Sequence, residues 1–61
     1  MSTETVPLRV LIVDDHELVR EGLVGAFARE EGTEVVGSVG TVSEAVAAYH
    51  QDAPDVIVTD L

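Results

Sequence analysis

Two aliphatic runs frame the chain: Leu8 to Val13, interrupted only by Arg9, and Val56 to Val58 near the other end. Neither alternates between apolar and polar positions, and short unbroken runs of this kind suit strands buried on both faces of a parallel sheet. The first predicts a strand over residues 8–13 and the second a strand over residues 55–60, rich in β-branched side chains. Between them the period becomes helical. Val19, Leu23, Ala26 and Phe27 predict a helix over residues 16–31, with that stripe buried and Arg20, Glu21 and Glu30 facing solvent. Asp14 or Asp15 is placed to cap it, Glu17 puts a favourable charge in its first turn, and Gly32 is expected to stop it in a left-handed conformation.

Residues 34–39 predict a middle strand that Gly37 weakens. Thr41 and Glu44 then form a T-x-x-E capping box before a helix over residues 42–52, whose Val42, Ala45, Val46 and Tyr49 share one face. Ala53 and Pro54 break that helix, and Pro7 bounds a flexible leader over residues 1–7. The element order is βαβαβ. Because helical crossovers between parallel strands are right-handed, this order predicts an α/β fold: part of a doubly wound parallel sheet with strand order 2-1-3 and one helix on each face.

Composition narrows the possibilities. The 46% hydrophobic content argues for a folded chain, and with Phe27 and Tyr49 the only aromatics it is an aliphatic, helix-and-sheet core. A formal net charge of −9 repels nucleic-acid phosphates, so these residues are not expected to grip DNA themselves. The absence of cysteine excludes disulfides, thiolate metal sites and thiol nucleophiles. No apolar run approaches the roughly 18 residues that span a bilayer, and the opening MSTETVP lacks an apolar signal core. A soluble cytoplasmic protein, with no membrane partner, is the expectation.

Candidate chemistry lies in three carboxylates. Asp14 and Asp15 end the first strand and Asp60 ends the last, so a parallel sheet would bring them to one edge, where open α/β sheets place their ligands. Like charges gathered there repel unless a proton or a cation intervenes, and the simplest reading is a divalent metal site that holds an anionic substrate. Helix capping alone would also account for Asp14 and Asp15, and a solvated strand end for Asp60. His16 could complete a metal site through its imidazole, but a lone histidine at a helix start reads first as exposed; His50 reads as a helix-end residue without chemistry, and Thr59 as packing on the opposite face from Asp60. Glu30, Glu31, Asp52 and Asp55 read as solvated surface, and Gly37 with Gly40 does not make a dinucleotide-binding loop.

The segments VDDHELVREGL and DVIVTDL, with their spacing and the capped second helix between them, resemble the receiver domain of two-component response regulators, in particular its NarL/FixJ (LuxR-type) branch. The resemblance covers about residues 8–61 and implies the N-terminal half of the flavodoxin-like receiver fold. It implies that Asp60 accepts a phosphoryl group from a phosphohistidine of a sensor histidine kinase. It further implies Mg²⁺ held by Asp14, Asp15 and Asp60, with Asp15 a direct ligand and Asp14 acting mainly through water. Such a domain is an acceptor rather than an enzyme.

The family also uses a backbone carbonyl two residues beyond the acceptor, a hydroxyl after a fourth strand and a lysine after a fifth, none of them among these 61 residues. Phosphoryl transfer to these residues alone is therefore expected to be poor, and control of DNA is expected only through a helix-turn-helix output domain outside them. Self-association or a homodimer through the exposed last strand is expected as well. The alternative is a pseudo-receiver or interaction module that is never phosphorylated. A phosphatase-like enzyme with an aspartyl nucleophile is disfavoured by the acidic pair on the first strand.

Overall fold

The computed structural model describes residues 6–60. Within them lie five elements: β1 (Leu8–Val13), α1 (Glu17–Ala28), β2 (Thr33–Val39), α2 (Val42–Asp52) and β3 (Val56–Thr59). The flexible leader expected over residues 1–7 falls outside the described residues except for Val6 and Pro7, which precede β1 without regular structure.

All strand pairings are parallel and the order is β2-β1-β3, so the α/β architecture is the one the sequence pattern predicts. Both helices pack on β1 and β2, without touching each other. That is the consequence of two right-handed crossovers running in opposite directions across the sheet, which leaves one helix on each face. The central strand takes nearly all the burial: Val10, Leu11, Ile12 and Val13 are each 2% exposed or less. A strand with a neighbour on both edges and a helix over each face has no room for alternation, hence the unbroken aliphatic run.

Gly37 does not end β2. The register shifts between Val10 and Leu11, which pair with Val35 and Gly37, so Val36 is an extra residue in a bulge. A Cβ on Gly37 would stand 2.9 Å from Leu11 Cδ1, and its absence is what lets the buried leucine lie across β2.

α1 is shorter than the expected 16–31, running from Glu17 to Ala28 with Arg29 as its C-cap; Gly32 does take a left-handed conformation (φ +87°), but in the turn that enters β2. Its inward face is also rotated. Arg20, Leu23, Val24 and Phe27 are half-buried, whereas Val19 and Ala26, expected inside, are exposed. Arg20 is turned inward because its guanidinium has a polar partner at the end of β1, described below. The α2 stripe faces the sheet as expected yet is only partly covered, with Val42, Val46 and Tyr49 each at least half exposed. With Val13, Ile57 and Thr59 these residues line an apolar groove of about 430 Å³ between α2 and β3.

The capping box forms with one variation. Thr41 Oγ1 accepts the Glu44 backbone N–H at 3.1 Å, and Glu44 Oε1 accepts both the Thr41 hydroxyl and the Gly40 backbone N–H at 3.2 Å. The acid thus takes the backbone N–H of the residue before the cap, in place of the cap's own N–H, together with the cap's hydroxyl. At the other end of α2, Ala53 adopts φ +46° and its carbonyl accepts Arg9 Nη1 at 3.1 Å. Asp55, read from sequence as solvated surface, accepts the Arg9 backbone N–H through Oδ2 at 2.9 Å and returns its own N–H to the Arg9 carbonyl at 2.8 Å. Arg9 and Asp55 therefore set where β3 enters the sheet.

Candidate functional site

The carboxyl ends of β1 and β3 lie side by side. Val13 pairs with Thr59, and the Asp60 backbone N–H continues the ladder to the Val13 carbonyl at 3.1 Å. Asp14 is held on the other side, its N–H donating to the Val39 carbonyl at the end of β2 at 3.0 Å. The backbones of Asp14 and Asp60 are thus neighbours at one sheet edge, as parallel pairing requires.

Asp14 is the centre of this edge and is completely buried. It does not cap α1, contrary to expectation, nor does Asp15: the N-cap is His16, which makes no side-chain cap hydrogen bond. Asp14 Oδ1 instead accepts the His16 backbone N–H at 2.8 Å, a tight local turn between strand and helix. Arg20, one turn into α1, reaches back so that Nη1 donates to the Asp14 carbonyl at 2.9 Å. The guanidinium lies where a Cβ on Gly40 would be, 2.7 Å from Nη1, so the glycine leaves the space that Arg20 fills.

Asp14 Oδ2 has no hydrogen-bond partner. A buried carboxylate oxygen left unpaired costs about 1–3 kcal/mol or more, and such an atom calls for an explanation. Asp15 supplies a second carboxylate at the same place, with its side chain 61% exposed. His16, exposed as expected, stands beside the two acids. Its Nδ1 stands 3.1 Å from Asp15 Oδ1 and 3.5 Å from Asp14 Oδ1, and the three residues offer ligand atoms all within 4.8 Å of one another. The three lie consecutively in D-D-H, which was the available signal. Asp60 is exposed, and its carboxylate lies outside that tight group although its backbone adjoins Asp14.

A divalent cation fits this donor set: hard carboxylate oxygens, one of them buried and unpartnered, at the mouth of a strand-to-helix turn. Asp14→Asn should therefore stabilise the metal-free protein, because the isosteric amide costs less to bury unpaired than a carboxylate. The same change should abolish the stabilisation that MgCl₂ confers. Thermal unfolding with EDTA and with MgCl₂ checks both halves, and a lower midpoint in EDTA for the variant would contradict the first.

The comparisons with known proteins agree with this geometry. Residues 10–61 match the response regulator receiver domain, and the chain belongs to that family. Among its relatives, the protein-glutamate methylesterase/protein-glutamine glutaminase 5 of Anaeromyxobacter dehalogenans is 46% identical over 59 residues, which are 97% of this chain and 16% of that protein. The DNA-binding transcriptional activator DevR/DosR of Mycobacterium tuberculosis is 44% identical over 54 residues, 88% of this chain and 25% of its own length. The response regulator protein VraR of Staphylococcus aureus is 43% identical over 54 residues, 88% of this chain and 26% of its own. The chain thus spans about a quarter or less of the relatives it matches. No solved structure matches it significantly. Among the described residues no helix is long and apolar enough to cross a membrane.

Proposed function

We propose that the chain is the phosphoryl-accepting part of a cytoplasmic two-component response regulator, with Asp60 the acceptor and Asp14, Asp15 and Asp60 the holders of Mg²⁺. The observation that supports this reading best is the bond from the Asp60 N–H to the Val13 carbonyl, which makes the Asp60 backbone a neighbour of Asp14, whose buried carboxylate has an unpaired oxygen. The donor is a phosphohistidine of a sensor histidine kinase. An Asp60 carboxylate oxygen forms the new P–O bond as the P–N bond to the imidazole breaks; the imidazole nitrogen keeps the electron pair and takes up a proton. The product is a mixed anhydride, which hydrolyses readily and makes the signal transient.

Each residue of the chain has a part. β3 presents Asp60 at an exposed strand end, where a partner's phosphohistidine can reach it. Asp14, Asp15 and Asp60 would hold the cation, Asp15 and Asp60 as direct oxygen donors and Asp14 mainly through water. Mg²⁺, when bound, neutralises the charge shared by acceptor and phosphoryl oxygens. Arg20 holds the Asp14 backbone against movement toward solvent. The role is that of an acceptor in signalling rather than of an enzyme; the match to the methylesterase named above covers 16% of that protein. Control of transcription belongs to an output domain beyond these residues, in line with the DNA-binding activator among the relatives. Labelling of the protein at its natural length by acetyl phosphate, dependent on Mg²⁺ and lost with EDTA, tests the proposal; a protein that takes up no phosphoryl group under these conditions contradicts it.

The same proposal includes a homodimer of this chain through β3. The strand has β1 on one edge and no other strand among the described residues, and Val56 and Ile57 are 37% and 45% exposed beside the apolar groove under α2. An open, β-branched edge next to uncovered apolar surface is a template for pairing. The 61-residue chain should sediment as a concentration-dependent dimer or larger species, and a monomer at high concentration would overturn this point.

A further inference from the structure

We propose that His16 is a nitrogen ligand that makes this acidic site take late first-row divalent ions, such as Ni²⁺ or Zn²⁺, in competition with Mg²⁺. The inference rests on the metal-site reading of Asp14 and Asp15 and adds to it a third donor with a different preference. Donors at about 2.1 Å from one ion stand about 3.0 Å apart when adjacent in an octahedron and about 3.4 Å apart in a tetrahedron. His16 Nδ1 lies 3.1 Å from Asp15 Oδ1 and 3.5 Å from Asp14 Oδ1, so both separations are those of ligands sharing an ion. An independent observation points into the same place: Asp14 Oδ2 is buried and without a partner.

The ring is positioned by the backbone. The His16 N–H is held by Asp14 Oδ1 at 2.8 Å, and the residue is the non-helical N-cap of α1, which leaves its side chain to swing back over the acidic pair instead of along the helix. Its side chain is 73% exposed beside that of Asp15, which is 61% exposed, so these two donors are open to an ion from solvent. Mg²⁺ gains little from an imidazole, because it prefers oxygen donors and keeps much of its water. Ni²⁺ and Zn²⁺ bind imidazole well, and Asp14, Asp15 and His16 together give them a mixed nitrogen and oxygen site. An ion bound in this way occupies the carboxylates that Mg²⁺ needs, so the two classes of ion exclude each other.

The test is direct binding of NiCl₂ and of MgCl₂ to the full chain by isothermal titration calorimetry, comparing the native protein with His16→Ala and His50→Ala. The exposed, non-capping His16 side chain makes its removal harmless to the fold, and the Mg²⁺ titration reports on that independently. His16→Ala should weaken Ni²⁺ binding about tenfold or more while Mg²⁺ affinity stays within about twofold. His50→Ala should leave both unchanged, and Mg²⁺ should lower the apparent Ni²⁺ affinity of the native protein. Unchanged Ni²⁺ affinity in His16→Ala, an equal loss in His50→Ala, or Mg²⁺ that binds without competing with Ni²⁺ would each overturn the proposal. Mg²⁺ binding with His16-independent Ni²⁺ binding sinks this inference alone; His16-dependent Ni²⁺ binding without any Mg²⁺ binding sinks the receiver reading of the site alone.

Discussion

Asp60→Asn is expected to reduce Mg²⁺-dependent phosphoryl labelling to background, the largest functional effect of any single change in this chain. An amide oxygen at that position has neither the charge nor the nucleophilicity to form a mixed anhydride, while the side chain keeps its shape. Asp60 is exposed and its structural bond to Val13 is made by the backbone N–H, which the substitution leaves in place. Folding should therefore be untouched, and an unchanged circular dichroism spectrum and unfolding midpoint would separate lost chemistry from lost structure. The measurement is intact mass after incubation with acetyl phosphate and MgCl₂, made on the protein at its natural length. Labelling of Asp60→Asn at the native level would move the acceptor elsewhere and end the present assignment. A partner that binds native and variant protein equally, with neither ever labelled, would favour the phosphorylation-free module.

Leu11→Ala should have the largest effect on stability, about 2–5 kcal/mol. Leu11 is fully buried at the middle of β1, with a helix packed over each face of the sheet and a neighbouring strand on each edge. The backbone around it is held by both ladders, so it cannot collapse into the space that the lost side chain leaves. The gap would be enlarged by Gly37, which already contributes no side chain where Leu11 Cδ1 lies. Domains of ordinary size have about 5–15 kcal/mol in total, and so short a chain stands at or below the low end of that range. The variant should be partly or wholly unfolded at room temperature. By contrast, Leu18→Ala, at a position 83% exposed on α1, should change stability by about 0.5 kcal/mol or less. Urea denaturation of both variants checks the contrast, and equal midpoints would show that burial in β1 is not what holds the sheet together.

The elements were readable because each has a local signal. An unbroken aliphatic run marks a strand covered on both sides, T-x-x-E marks the start of α2, and Ala53-Pro54 marks its end; the structure has all three. The rotation of α1 was not readable. Val19 and Ala26 fit the helical period as well as Arg20 and Val24 do, and only the Asp14 carbonyl and the open space at Gly40 turn the arginine inward. Asp55 was invisible for a similar reason: its partner, Arg9, is 46 residues away along the chain.

The candidate site divides in the same way. That acids end β1 and β3, and so meet at one edge, follows from strand type and right-handed connection, which are properties of short segments and of chain chirality. Which acid would be buried, which oxygen would lack a partner and whether the histidine would join them depended on how the strand-to-helix turn closes against β2 and α1. Asp14 is sealed by Val39, Arg20 and its own bond to His16, whereas Asp15, one residue on, points to solvent. Strand and helix identity came from the sequence alone because each residue's preference is set by its near neighbours. The burial of Asp14 and the placing of His16 came from tertiary structure alone, because desolvation and side-chain reach depend on surfaces that exist only once distant segments have packed.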